Sequence, residues 1–202
     1  DALLQFTDVE AIVTKASTLH EMTRGITDIP VHTVQNKSEL TQLLATKPFE
    51  SKLGIIVDFG IIVEQSVIDY FPLGIINSHF SLLPEWRGAD PISFSILSGQ
   101  PETGVSLMLI NAALDEGQLL AQENLHIEPT DTTDTLTHKL VALSADMLKR
   151  HLPLYCEGTL KPFDQPASEA TYSRKLTKAD GIIDWTKSAH RLDCEIRAYQ
   201  PW

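Results

Sequence analysis

The chain has 202 residues, 43% of them hydrophobic, and a net charge of −11. That length and apolar content fit one sizeable globular domain, or one domain and the start of another. No apolar run approaches the ~18 residues of a membrane span, and an acidic surface excludes broad phosphate-backbone binding except through local basic spots. Residues 156–202 carry seven basic and seven acidic side chains, leaving nine basic against twenty acidic in residues 1–155. Cys156 and Cys194 stand in no metal-ligand spacing, so reduced thiols, a cytoplasmic location and no metal are expected.

In chain order, 9–15 reads as a strand, 18–24 as a short helix capped by Ser17, and 30–36 as a second strand. A helix over 38–45 precedes the continuous apolar run 53–60, the pattern of a strand covered on both faces. A helix over 64–70 leads to a strand at 74–79, then a helix at 89–98 and strands at 104–111 and 117–128. The clearest helix spans 133–155: Leu136, Leu140, Leu143, Met147 and Leu152 recur at helical spacing, with Asp131 or Thr132 as cap. Residues 156–176 hold two prolines and little pattern, and read as a connection leaving the domain. Ala189, Leu192, Ile196 and Tyr199 mark a last amphipathic helix. Strands alternating with helices predict an α/β fold, Rossmann-like, with a mostly parallel sheet flanked by helices. A first strand is expected before Asp1 and a C-terminal domain beyond Trp202. The division expected is a catalytic domain over 1–155, then a linker and terminal helix over 156–202.

In open α/β sheets ligands bind beyond the carboxyl ends of strands. The 74–79 strand ends in Asn77 and His79, and residues two apart share a face. An Asn amide can donate to a developing oxyanion, and a His can donate or shuttle a proton. Asp115, in a turn with Gly117, is the next polar residue placed to join them; a carboxylate near an imidazole favours the imidazolium. With no G-x-S-x-G elbow, Asn, His and Asp suit direct acyl transfer to an amine. Plainer readings stand beside this one. A strand-end His is commonly a satisfied structural residue, Asn77 can close a turn, and Asp115-Glu116-Gly117 is an ordinary turn signal. Arg87 is read equally as part of a structural turn or as a contact to an anionic substrate.

The segment "NSHFSLLPEWRGADP" (77–91) is similar to the signature of the folate-dependent formyltransferases, Asn-x-His-x-Ser-Leu-Leu-Pro followed by Leu-Asp-x-Gly. Leu114 to Gly117 supplies the second part. Within that family the chain most resembles the branch that formylates methionyl-tRNA, through "WRGADP", "ETGVSLMLI", "ALDEG" and the terminal "IDWTKSAH" and "IRAYQPW". The resemblance implies 10-formyltetrahydrofolate as donor and initiator methionyl-tRNA as acceptor, in a monomer. Asn77 and His79 would hold the formyl oxygen and Asp115 would support His79. The pterin would lie against Phe59, Gly60, Ile61, Ile62 and Val63, and against Asn111, Ala112, Ala113 and Leu114. Ser81, Leu82, Leu83, Pro84 and Arg87 would meet substrate. Phosphate contacts would fall to Arg87, Arg174, Lys175, Lys178, Arg191, Arg197 and the further domain. The sequence departs from the family pattern at Phe80, Asp58 and Asp90, and "KAS" (15–17) replaces a Gly- and basic-rich loop. Two rivals share the features: formylation of a small amine, such as an amino-sugar nucleotide or ribosylated glycinamide, and a non-catalytic folate-binding domain.

Overall fold

The computed structural model describes residues 3–15, 28–46 and 48–200, with only the backbone of Leu4. The helix expected over 18–24 and the loop expected near 14–17 fall wholly or partly outside the described residues. The fold is mixed α/β. Strands β1 (Ile12–Thr14) and β2 (Val31–Thr33) pair in parallel. Helix α1 (Lys37–Ala45) follows, capped by the Asn36 side chain on Glu39 N–H. Strand β3 (Gly54–Val57), the short helix α2 (Gln65–Ile68) and strand β4 (Ile75–His79) come next. The two-residue strand β5 (Arg87–Gly88) leads into helix α3 (Pro91–Ser98). A hairpin of β6 (Glu102–Leu109) and β7 (Leu119–His126) precedes the long helix α4 (Thr133–Cys156). Strand β8 (Tyr172–Ser173) and helix α5 (Ala189–Ala198) complete the order.

The main sheet runs β3-β4-β6-β7. β3 and β4 are parallel, β4 and β6 antiparallel, and β6 and β7 antiparallel. A separate parallel pair, β5 with β8, ties the segment after α4 back beside the end of β4. β4 is buried on both faces, as its near-continuous apolar start requires. One face sends Ile76 and Phe80 into the larger core with Leu136, Leu140, Met147, Leu148 and Leu152 of α4. The other sends Ile75 against Leu40 and Leu44 of α1 and Val67 and Ile68 of α2. Each of these buried aliphatic side chains contributes roughly 1.5–3 kcal/mol.

Thr132 is the N-cap of α4, accepting from Thr135 N–H, while Thr132 N–H donates to Thr135 Oγ1. Asp131 is instead buried and bound to Lys139 and Thr135. Helix α5 docks on α3 and α4: Thr133 Oγ1 donates to the Ala198 carbonyl at 2.6 Å, and Arg191 donates to the Leu97 carbonyl. Its buried face runs through Cys194, Glu195 and Ala198, a correction to the stripe read from sequence. Docking through the Leu97 carbonyl of α3 and the Thr133 hydroxyl of α4 turns Ala189 and Ile196 outward. Ile196 then lines an open apolar groove with Leu192, Ile182, Ile183 and Trp185. Cys156 and Cys194 are both free thiols. Among the described residues no helix is long and apolar enough to cross a membrane.

Candidate active site

The alternation of β4 sorts its polar residues. Ser78 points to the α4 side, where its hydroxyl shares a 2.6 Å hydrogen bond with that of Ser144. Asn77 and His79 lie on the opposite face, with Asn77 opposite Ile56 of β3 and His79 opposite Ser106 of β6. Asn77 is half-buried, and its amide side chain has no hydrogen-bond partner among the described residues. A part-buried amide left open in this way is a donor ready for an oxygen that arrives from outside.

His79 is 6% exposed. Its Nε2 lies 3.0 Å from the Trp86 carbonyl oxygen. A carbonyl can only accept, so Nε2 carries the hydrogen and Nδ1 is the basic nitrogen of the neutral ring. Nδ1 faces Asp115 Oδ2 at 3.9 Å. Burial holds the imidazole below its ordinary range; the Asp115 charge and the Trp86 carbonyl act against that without reversing it. At neutral pH the ring is therefore a proton acceptor whose protonated form has a carboxylate waiting beside it.

Asp115 is held from several sides. Its Oδ2 accepts from Gly88 N–H at 2.8 Å. Its backbone is left-handed, with φ of +53°. Gly117, two residues on, passes so close to β6 that a Cβ there would lie 1.6 Å from the Leu109 carbonyl oxygen. The Leu-Asp-x-Gly motif thus needs its glycine for close approach. Gly88 has φ of +113°, and a Cβ there would lie 2.3 Å from the Ser173 carbonyl. The non-glycine residues with positive φ among the described residues are Asp58, Trp86 and Asp115. Asp115 and Trp86 both contact His79. Such strain gathers where surrounding contacts over-determine the backbone.

The structure sets Asp115 beside His79, with Asn77 two residues earlier on the same face of β4. It gives Ser81–Pro84 a different part. Ser81 is fully buried, its hydroxyl donating to the Glu85 carbonyl at 2.5 Å. Ser106 Oγ donates to the Ser81 carbonyl and accepts from Leu83 N–H, and Gln122 donates to the Leu83 carbonyl. Leu83 is buried with Met108 and Leu119, and Leu82 is half-buried. These residues brace the loop that carries Trp86. Arg87, read equally as part of a structural turn or as a contact to an anionic substrate, is 3% exposed and engaged with Gln165 and Glu116. Ser106 and Gln165 are the site-supporting residues that sequence reading missed. A serine inside the apolar run of β6 was a visible signal; a lone Gln in a proline-rich connection was not.

The loops expected to meet a pterin leave β3 and β6. Ile62 is 78% and Leu114 63% exposed, while Phe59, Ile61 and Val63 pack partly into the smaller core. Asn111 turns its Oδ1 to Ala113 N–H at 3.0 Å, and Gly60 has φ of +67°. Two departures from the family pattern meet here: the Asp58 carboxyl is held above its ordinary range by burial first and by the like charge of Asp90 second. The basic groups proposed for phosphates are largely spoken for. Arg174 binds Asp180, Arg191 binds Glu195 and Arg197 binds Asp193.

A family model described as "Formyl transferase" matches residues 8–152, and one described as "Formyl transferase, C-terminal domain" matches residues 175–202. A methionyl-tRNA formyltransferase of Roseiflexus sp. (strain RS-1) is 38% identical over 178 residues, covering 88% of this chain and 54% of the relative. The chain spans about half the length of the curated relatives it matches. In fold it is similar to a 4-N formyltransferase from Francisella tularensis, with a TM-score of 0.79 at 17% identity over 95% of this chain and 78% of that one. It is also similar to an N-formyltransferase from Helicobacter canadensis solved in complex with folinic acid and dTDP-3-aminofucose. That likeness has a TM-score of 0.72 at 20% identity and covers 95% of this chain and 81% of that one.

Proposed function

The chain belongs to the formyl transferase family, and from that premise we propose that it moves the formyl group of 10-formyltetrahydrofolate to the α-amino group of initiator methionyl-tRNA. The observation that carries the chemistry is the open Asn77 amide two residues from a buried, neutral His79 whose basic nitrogen faces Asp115. The amine attacks the formyl carbon, and the carbonyl electrons move onto oxygen. Asn77 Nδ2–H donates to that oxygen, a contact typically worth 10²–10³ in rate. His79 Nδ1 takes the proton lost by the amine, and Asp115 stabilises the imidazolium. Nδ1–H is then a second donor for the oxyanion. The intermediate collapses as the bond from the formyl carbon to N10 of the folate breaks, and the proton held on His79 passes to N10, restoring the neutral imidazole. One N–formyl bond forms and one breaks, with no redox change. The folate would lie against Phe59–Val63 and Asn111–Leu114, where the exposed Ile62 and Leu114 offer apolar surface. Residues 1–155 would carry this chemistry and 156–202 would lead toward the acceptor-binding part.

The relatives named methionyl-tRNA formyltransferase support the tRNA acceptor. A small-amine acceptor is the second reading, favoured by the internal pairing of Arg174, Arg191 and Arg197. An acceptor screen with 10-formyltetrahydrofolate separates them. Charged initiator tRNA should be formylated, with apparent affinity falling steeply as salt rises. Turnover of amino-sugar nucleotides or glycinamide ribotide alone would transfer the function to small amines. Folate binding with no turnover of any amine would leave a binding domain.

A further inference from the structure

Gln165 lies in the patternless stretch between α4 and β8, yet it touches the loop of Asp115 twice. Its Nε2 donates to the backbone carbonyls of Asp115 and Gly117, at 2.9 and 2.8 Å. Its Oε1 accepts from Nε and Nη2 of Arg87, at 3.2 and 2.9 Å. The orientation of the amide is unambiguous, because a guanidinium can only donate and a carbonyl can only accept. Arg87 Nη1 then reaches Glu116 Oε1 at 3.0 Å, and Gly88 N–H, next along β5, holds the Asp115 carboxylate. The turn 115–117 is thus gripped at three successive residues by groups from β5 and from residue 165. An aliphatic side chain could fill the space, but it would leave the buried Arg87 short of an acceptor and two carbonyls short of a donor. The left-handed backbone of Asp115 needs such a grip, since that conformation costs an L-residue on the order of 1–2 kcal/mol.

We propose that Gln165 and Arg87 form a positioning pair that sets where the Asp115 carboxylate stands relative to His79, and that neither touches substrate. This rests on the reading of Asn77, His79 and Asp115 as the reacting set. It assigns to the linking segment a share in the rate of transfer, because a displacement of about 1 Å in a reacting constellation can cost 10²-fold.

Gln165→Glu tests it. The variant keeps length, volume and the acceptor for Arg87, and replaces the two donations to the turn by a carboxylate oxygen set against the two carbonyls. Gln165→Met serves as a second variant should the first fail to fold, as judged by thermal unfolding. Steady-state kcat and KM for 10-formyltetrahydrofolate and for the acceptor are measured in the wild type and in Asp115→Asn. The expected result is a fall in kcat of about tenfold or more with both KM values within about twofold. In the Asp115→Asn background the same substitution should cost less than about twofold, because the carboxylate it places has lost its charge. Full additivity of the two losses, or a loss confined to KM, overturns the proposal. The underlying reading is judged separately by Asp115→Asn alone. Wild-type kcat there sinks the reacting set and this proposal with it, whereas a slow Asp115→Asn beside a normal Gln165→Glu sinks only the positioning role.

Discussion

Replacing Asp115 by Asn removes a charge and little else. The amide is nearly the same size, and its oxygen can still accept from Gly88 N–H. The carboxylate oxygen stands 3.9 Å from His79 Nδ1, where two unit charges attract by about 4 kcal/mol at an effective dielectric near 20. Asp115 is 13% exposed, so solvent removes part of this, leaving roughly 3–4 kcal/mol for the imidazolium that forms as the amine loses its proton. The rate of transfer should fall by about 10²–10³. A second signature separates this from general damage. Burial already depresses the imidazole, and the Asp115 charge is the main influence against it. Without that charge His79 is harder to protonate, so the acid limb of the pH–rate profile should move to lower pH. Single-turnover formyl transfer, followed across pH for wild type and variant, reads both effects. A rate within about threefold of wild type, or an acid limb that stays in place or moves up, would refute the reasoning.

His79 also ties stability to pH. Its folded pKa lies below the ordinary value of 6.5, so the unfolded chain binds the extra proton first. Stability should fall as pH drops below about 6.5 and level off below the folded pKa; urea unfolding at stepped pH should show this slope reduced in His79→Gln. Leu140, fully buried in the larger core, should cost about 2–5 kcal/mol as Leu140→Ala, seen as a Tm lower by roughly 5–15 °C in thermal unfolding. Gly117→Ala would drive a Cβ into the Leu109 carbonyl. The turn must shift, and kcat should fall on the order of 10²; a variant with unchanged kcat would show that Asp115 does not depend on this close approach.

Much of the candidate site was legible because it rests on local geometry. Asn77 and His79 share a face by strand alternation alone, and Leu136, Leu140, Met147 and Leu152 bury one stripe by helical periodicity. α5 was misread for a reason of the same kind. Its apolar side chains have helical spacing, but spacing does not say which neighbour the helix meets. Docking on α3 and α4 through Arg191 and the Ala198 carbonyl buries Cys194 and Glu195 and turns Ile196 out.

By itself the sequence determined the alternation of strands and helices, the long helix after residue 132, and the pairing of an amide with an imidazole at one strand end. Each follows from backbone periods of two or 3.6 residues acting on neighbours. Only the tertiary structure decided that β4, β6 and β7 run antiparallel, that Arg87 is buried, and that Gln165 grips the turn of Asp115. The contacts of Gly88, Arg87 and Gln165 around that turn join residues 27 to 78 positions apart in the chain. No local period encodes them. They exist because burying both faces of β4 leaves one path for the loops above it, and the polar groups caught there must find partners in each other.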